Sequence, residues 1–297
     1  MVELRHLRYF VAVAEELSFR RASQRVHVDQ SPLSRAVREL EQDLDVSLFA
    51  RTPRAFRLTP AGIVLLEEVR ELFAQLERAK RRARETDQRH RAPLRIGVAD
   101  GLCQPRLSKC LAGWHQVAPE TPLELSELRA VDLAGALRRE ELDAGFSFGV
   151  PAHDFIVQEP VWSYPLVAVL PMEHELASRH GLDLADVVAF PLIACHATEK
   201  PGIRRQVDEV IHRHVVAPAY AGEATSLNGL INMVASGLGI GLLDSGHMQT
   251  IRRSDVTSKP VNGGAAVSTY LAFRRQPGPL PHALQTLLTH ATSLRQA

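Results

Sequence analysis

The side chains with the most specific chemistry lie in the first 60 residues. Gln30, Ser31, Ser34, Arg35 and Arg38 recur one, three or four apart, so a helix there would present them together on one face. A guanidinium such as that of Arg35 can bond guanine O6 and N7 as a bidentate pair. The amide of Gln30 can do the same with adenine, and the serine hydroxyls can serve bases or phosphates. Pro32 lies at the start of the same helix, where its missing amide has no helical partner. Arg51, Arg54 and Arg57 follow closely and Arg20 and Arg21 precede, cations suited to phosphates or to the minor groove. The combined chemistry is that of reading a nucleic-acid duplex.

Three helices and a hairpin would have to position these groups. Leu4, Leu7, Val11, Ala14 and Leu17 recur at helical spacing, and Ser18 is a natural N-cap for a second helix running to Val26. His27, Val28 and Asp29 form a turn. In the third helix Leu33, Val37, Leu40 and Leu44 line the inward face. Val46–Leu58 reads as a two-stranded wing tipped by Thr52-Pro53-Arg54. A polar helix face by itself is as readily a solvated surface. Helix, turn, helix and basic wing in succession point instead to DNA.

Composition sets the outer bounds. At 297 residues the chain is too long for one ordinary core, and two or three domains are expected. A net charge of +1 hides an asymmetry: residues 1–92 carry 18 Lys and Arg against 14 Asp and Glu, whereas 93–297 carry 17 against 20. The basic excess therefore sits where duplex contact is expected. Apolar runs fall short of the ~18 residues of a membrane span. Met1–Arg5 lacks the pattern of a secretory signal, so a cytoplasmic location is expected. Cys103, Cys110 and Cys195 form no CxxC pair and fit no common zinc spacing. They are expected to be reduced, mostly buried thiols, with a redox switch as the alternative.

Enzymatic signatures are missing or broken. His174-Glu175 opens an HExxH motif, but Ser178 occupies the place of its second histidine. Gly237, Gly239 and Gly241 imitate a dinucleotide fingerprint but follow a helix and enter a strand, the reverse of the order phosphate binding needs. Neither a GxSxG elbow nor a P-loop occurs. The expectation is a non-enzyme without a cofactor.

From Pro60 to about Arg89 a long helix is predicted, with Leu66, Val69, Phe73, Leu76 and Ala83 forming a seam interrupted at Lys80. The seam suits pairing between subunits or packing on the chain's own winged domain. His90-Arg91-Ala92-Pro93 reads as a hinge. Beyond it strands alternate with helices, as in parallel α/β sheets: strands at Leu94–Val98, Leu123–Leu128, Ala144–Phe148 and Leu192–Cys195, and helices around Leu107–Trp114, Val131–Arg139 and 227–235. Tyr164–Leu170 and Val267–Phe273 are two strands with little helix nearby, candidates for crossovers between two lobes. The expected bounds are 1–62 for a DNA-binding domain, 63–92 for a linker helix and 93–297 for an α/β domain. In the last, lobe I comprises 93–162 and 268–297, and lobe II comprises 163–267.

Open α/β sheets place ligands at the carboxyl ends of their strands. The candidates there are Asp100, Gly101 and Leu102, then Ala130, Phe148, His196, Ala197, Thr198, Ile203, Thr225 and Ser226. Each is read either as a ligand contact or as a cap or packing residue. The loop after Leu94–Val98 precedes a helix whose amides favour an anion, whereas the carboxylate of Asp100 would repel one. His196 is the group whose charge could follow ligand or pH.

Leu7-Arg8-Tyr9-Phe10-Val11-Ala12-Val13-Ala14-Glu15, Gln30-Ser31-Pro32-Leu33-Ser34-Arg35, Val46-Ser47-Leu48-Phe49-Ala50-Arg51 and Leu58-Thr59-Pro60-Ala61-Gly62 resemble the winged helix-turn-helix of LysR-type transcriptional regulators. Asp45 departs from that pattern, standing where the family has a glycine. Leu94-Arg95-Ile96-Gly97, Leu142-Asp143-Ala144-Gly145-Phe146 and residues 230–241 extend the resemblance over essentially the whole chain. It implies a dimerising linker helix and a periplasmic-binding-protein-like (type 2) effector domain of two lobes with a small-molecule inducer in their cleft. The implied partners are promoter DNA, further copies of the chain in a dimer and tetramer, and RNA polymerase. Asp143-Ala144-Gly145-Phe146 and Lys200-Pro201 look most like the branch responding to muconate, benzoate and chlorocatechol derivatives. Within the family Ala130 occupies a position that can offer a hydroxyl; a methyl group cannot donate a hydrogen bond.

Overall fold

The computed structural model describes residues 2–52, 55–86, 92–213 and 218–296. The chain divides into two compact units, Met1–Ala83 and Arg84–Ala297.

In the first unit, α1 (Leu4–Glu16), α2 (Phe19–Arg25) and α3 (Gln30–Leu44) close on a core of Phe10, Ala12, Val13, Ala22, Leu33, Val37 and Leu40. Ser18 caps α2, its hydroxyl accepting the Arg21 amide at 3.4 Å. The wing is the antiparallel pair β1 (Phe49–Thr52) and β2 (Ala55–Leu58), with Phe49 opposite Leu58. Phe49 and Phe56 stack with centroids 4.9 Å apart, and Phe19 meets Phe56 at 5.3 Å, so aromatic packing ties the wing to the helices. Glu41 adds a polar tie by accepting the amides of Leu48 (2.8 Å) and Phe49 (3.2 Å). Leu44, expected inward, is 37% exposed. It is the last residue of α3, and the chain turns away at Asp45 before anything can cover it.

The long helix α4 (Pro60–Thr86) settles which face its seam uses. Leu65, Leu66, Val69 and Phe73 pack on Leu7, Phe10, Leu40 and Leu48 of the winged module. The first half of the seam therefore lies against the chain's own domain, because α1 and the wing leave an apolar surface that it covers. Ile63, Val64 and Leu72 point outward instead. The expected hinge lies partly outside the described residues.

The second unit contains β3 (Leu94–Ala99), α5 (Pro105–Val117), β4 (Leu123–Leu128), α6 (Ala130–Arg138), β5 (Ala144–Ser147) and β6 (Ile156–Pro171). It continues with α7 (Leu184–Val188), β7 (Leu192–Cys195), α8 (Pro201–His212), β8 (Tyr220–Ala224), α9 (Leu227–Ala235) and β9 (Ile240–Asp244). It ends with α10 (Ser245–Thr250), β10 (Val256–Pro260), β11 (Ala266–Arg274) and α11 (His282–Ser293). The sheet order is β4-β3-β5-β11-β6-β9-β7-β8, with β10 on β6. Pairing is parallel for β3 with β4 and β5, and for β7 with β8 and β9. The strands β6 and β11 run antiparallel to each other through the middle. β6 is far longer than the expected Tyr164–Leu170, because Glu159, Pro160, Ser163 and Pro165 interrupt its apolar pattern while leaving its backbone pairing with β11 in place. The Gly237 turn ends α9 as expected: its φ is +78°, its amide bonds Val234 O at 2.9 Å, and the Leu238 amide bonds Met233 O at 3.2 Å.

Candidate nucleic-acid interface and interlobe site

On α3, Gln30, Ser31, Pro32, Arg35 and Arg38 are exposed and Ser34 is half-buried, while Leu33, Ala36, Val37 and Leu40 face the core. Amphipathicity alone turns the polar stripe to solvent. Arg38 is partly committed to its own helix, reaching Ser34 O at 3.3 Å and Ser34 Oγ at 3.5 Å. Arg35 makes no hydrogen bond or ion pair among the described residues, so its five donors face outward unspent. Arg20 and Arg21 are both exposed at the start of α2, but Arg21 is held by Glu16 at 3.3 Å. A phosphate would have to take Arg21 from that carboxylate. Arg57 is exposed on β2. Arg51 lies on β1 across from Phe56, and Arg54 lies outside the described residues.

Behind this face the charges are tied down. Glu15 binds Arg70 at 2.6 Å and Arg25 at 2.7 Å. Burial pushes the Glu15 carboxyl up, but the hydrogen bonds and charges of Arg70 and Arg25 prevail and hold it below its ordinary value.

In the second unit the carboxyl ends of β3, β5, β7 and β9 carry polar groups toward the junction of the lobes. Asp100 follows β3 with φ +66°, Gly101 follows at +65°, and the Leu102 amide returns to Ala99 O at 3.1 Å. This tight turn seats the Asp100 side chain inside the protein, fully buried. Its Oδ2 accepts the Phe148 amide at 3.3 Å, whereas Oδ1 has no partner among the described residues. Burial raises its carboxyl to about 6 against the opposing pull of Lys200 and the Phe148 amide. Asp244, at the end of β9, accepts the Gln104 side-chain amide and the His247 backbone amide at 2.8 Å each, both through Oδ1. Among the described residues its Oδ2 is unpartnered, as are both ring nitrogens of His247, which is 4% exposed. Burial raises the Asp244 carboxyl and lowers the His247 imidazole.

Two glutamines cross-link the lobes. Gln104 joins Asp244 to Trp162 (2.7 Å) and Thr269 (3.0 Å) on the crossover strands. Gln206 of α8 donates to Phe148 O at 2.7 Å and to Ser268 O at 2.9 Å, and it accepts the Ser268 amide at 2.7 Å. Gly202 makes this approach feasible, since a Cβ there would stand 2.5 Å from Gly149 O and 2.7 Å from Phe148 O.

The remaining expected ligand positions separate by burial. Leu102, Ala130, Phe148 and Ile203 are buried in apolar clusters, Ala130 against Leu133 and Ala99. His196 is half-buried, and its Nδ1 accepts the amides of Thr198 and Glu199 at 3.3 Å each, so the ring caps its own turn. Ala197, Thr198 and Thr225 are exposed, and Ser226 caps α9 through the Gly229 amide at 2.9 Å. Gln104, Gln206, Asp244 and His247 were not foreseen. Their spacing resembles ordinary helix caps and helix faces, and only the return of the chain through β6 and β11 brings them together. Cys110 and Cys195 are buried, and burial pushes both thiols up to about 12, which keeps them protonated and unreactive.

Comparison with known proteins covers both units. A family described as bacterial regulatory helix-turn-helix protein, lysR family, matches residues 4–63, and the LysR substrate binding domain matches 87–295. The transcriptional regulator CatR of Pseudomonas putida is 32% identical over 288 residues, 97% of this chain and 98% of CatR. The Hca operon transcriptional activator HcaR of Escherichia coli is 31% identical over 275 residues, 92% of each chain. The crystal structure of the LysR family regulator CbnR superposes with a TM-score of 0.79 at 22% identity over 100% of both chains, which shows the same fold.

Proposed function

The chain belongs to the LysR family of bacterial transcriptional regulators, and from that premise we propose how its parts divide the work. As a member it is a DNA-binding regulator with an effector-binding domain, and the family's members are regulators rather than enzymes. Residues 1–62 hold DNA, 63–92 form the linker and dimerising helix, and 93–297 bind the inducer. Gln30, Ser31, Ser34 and Arg35 read bases from the major groove. Arg20, Arg38, Arg51, Arg54 and Arg57 contact phosphates or the minor groove, and Arg21 joins them on release from Glu16. The observation that carries this reading is the outward face of α3, where Arg35 has no intramolecular partner among the described residues.

The outward apolar side chains Val64 and Leu72, eight residues apart and so on one face of α4, supply the dimer contact. Paired winged domains then read a pseudo-palindrome with half-sites roughly one helical turn apart, and dimers associate into a tetramer. The inducer is a carboxylate from aromatic catabolism, bound where the strand ends of the two lobes meet. CatR and HcaR, related over 98% and 92% of their lengths, and the ammonium of Lys200 support this choice. The ligand alters DNA binding only if it favours one arrangement of the assembly over another. No helix among the described residues is long and apolar enough to cross a membrane. Cys103 is exposed, but the buried, protonated thiols of Cys110 and Cys195 leave it no reactive partner, which weighs against redox sensing.

The test is a gel-shift titration of the protein on DNA upstream of its own gene, with and without benzoate, muconate and related acids. Retarded complexes with acid-dependent affinity or spacing are expected. Unshifted DNA in modest salt would overturn the DNA-binding assignments. An unchanged complex with every acid, together with no ligand-induced rise in melting temperature, would overturn the inducer class.

A further inference from the structure

The junction of the lobes holds more hydrogen-bonding capacity than the protein itself uses. Among the described residues Asp100 Oδ1, Asp244 Oδ2 and both nitrogens of His247 are buried without a partner. Asp100 accepts the Phe148 amide, and Gly202, two residues after Lys200, packs on the backbone of Phe148 and Gly149, so Asp100 and Lys200 flank the same strand end. Among the described residues the Lys200 ammonium makes no hydrogen bond or ion pair. Leaving one such group unmet is costly, and more so for a charged one. The unmet groups at this strand end therefore mark a site that a polar ligand completes. The sign of the charge is informative. With Asp100 beside the Lys200 ammonium, the site can accept hydrogen bonds at one end and bind an anion at the other. A plain carboxylate satisfies Lys200 but gives Asp100 nothing, and their charges repel.

We propose that the effector is a carboxylic acid that also carries a hydrogen-bond-donating hydroxyl or amino group, its carboxylate pairing with Lys200 and its donor filling the open oxygen of Asp100. The assignment rests on the reading of this domain as an effector sensor, and it makes Asp100 a specificity-determining residue. Lobe I supplies Asp100 and lobe II supplies Lys200, so one ligand with both groups spans the junction.

Matched pairs of acids test this in the full-length protein by calorimetry and thermal shift. The aromatic pairs are benzoate with 3-hydroxybenzoate and with 3-aminobenzoate; the aliphatic pairs are butyrate with 3-hydroxybutyrate and with 3-aminobutyrate. In at least one series the donor-bearing acid is expected to bind about tenfold or more tightly than its plain parent. Asp100→Ala should reduce that ratio to near one, and Lys200→Met should abolish binding of both members. Asp100→Asn keeps the shape of the side chain. With operator binding and melting temperature confirming its fold, it should lose the preference for the charged aliphatic amine. A plain acid binding as tightly as its substituted partner, a preference that survives Asp100→Ala, or binding by no acid of either series would each overturn the proposal. If only aliphatic donor-bearing acids bind, the aromatic inducer class fails while the role of Asp100 stands.

Discussion

Arg35 and Asp100 are the two residues whose unmet chemistry says most about this protein, one on the surface and one inside. Arg35→Ala should cost ~1–3 kcal/mol on the preferred operator and relax selectivity at one base pair, measured by titrating single-base operator variants. A uniform loss over all sequences would instead assign the side chain to a phosphate. For Asp100 the sign of the pH effect follows from its raised carboxyl, about 6 in the folded chain against an ordinary 3.8. Between those values the native state binds more protons than the unfolded one, so this residue's contribution to stability is complete at low pH and is lost as pH rises through about 6. Asp100→Asn should therefore gain about 2–3 kcal/mol relative to wild type as pH increases across that window, read from urea midpoints. The comparison with Asn is needed because His247 acts oppositely. Its lowered imidazole contributes stability above its ordinary 6.5, and that contribution is lost as pH falls. A constant difference between the two proteins from pH 4 to 7 would remove Asp100 from this account.

At the scale of elements, the helix-turn-helix was legible because each local signal agreed with the next. Ser18 caps α2 where expected, and Leu33, Val37 and Leu40 are buried where their spacing placed them. The end of α3 is less favourable. Asp45 adopts φ 53°, a left-handed conformation, and it places a carboxylate at a helix C-terminus. Asp45→Gly should stabilise the protein by about 1 kcal/mol in chemical denaturation without weakening operator binding. A loss of binding would show that the carboxylate, rather than the turn alone, sets the wing. The linker seam was only half legible. Periodicity identifies an apolar stripe but cannot say whether the covering surface belongs to the same chain or to another. Here Phe10 and Leu48 cover Val69, leaving Val64 and Leu72 for a partner. Leu72→Glu is expected to shift the species seen by light scattering at micromolar concentration toward monomer and to weaken operator binding with it. An unchanged mass would place the dimer contact elsewhere.

At the scale of the whole molecule, the second unit is held across its lobes by a few side chains rather than by the sheet alone. Gln206 makes three bonds of 2.7–2.9 Å to Phe148 and Ser268. Gln206→Ala should lower the stability of this unit by about 1–3 kcal/mol, because it strands Phe148 O and the Ser268 amide. If closure of the lobes transmits the ligand signal, the same variant also reduces the effect of ligand on operator affinity. Full retention of both stability and response would remove Gln206 from the groups that hold the lobes.

From the residues alone came the helix-turn-helix, its outward cations, the alternation of strands and helices and the two crossover strands, because each is written in spacings of two to four residues. The long central strand was underestimated where prolines and polar residues break its apolar pattern, since backbone pairing with β11 depends little on side-chain polarity. Asp100 and Phe148 were placed at the interlobe site by their position after strands, but Gln104, Gln206, Asp244 and His247 lay beyond reach for a different reason. Gln104 and Asp244 are 140 positions apart, and no local pattern marks a pair that meets only after the chain has crossed between lobes and returned. Tertiary packing alone decided that Asp100, Asp244 and His247 are buried, and burial turns ordinary polar residues into groups that require a partner.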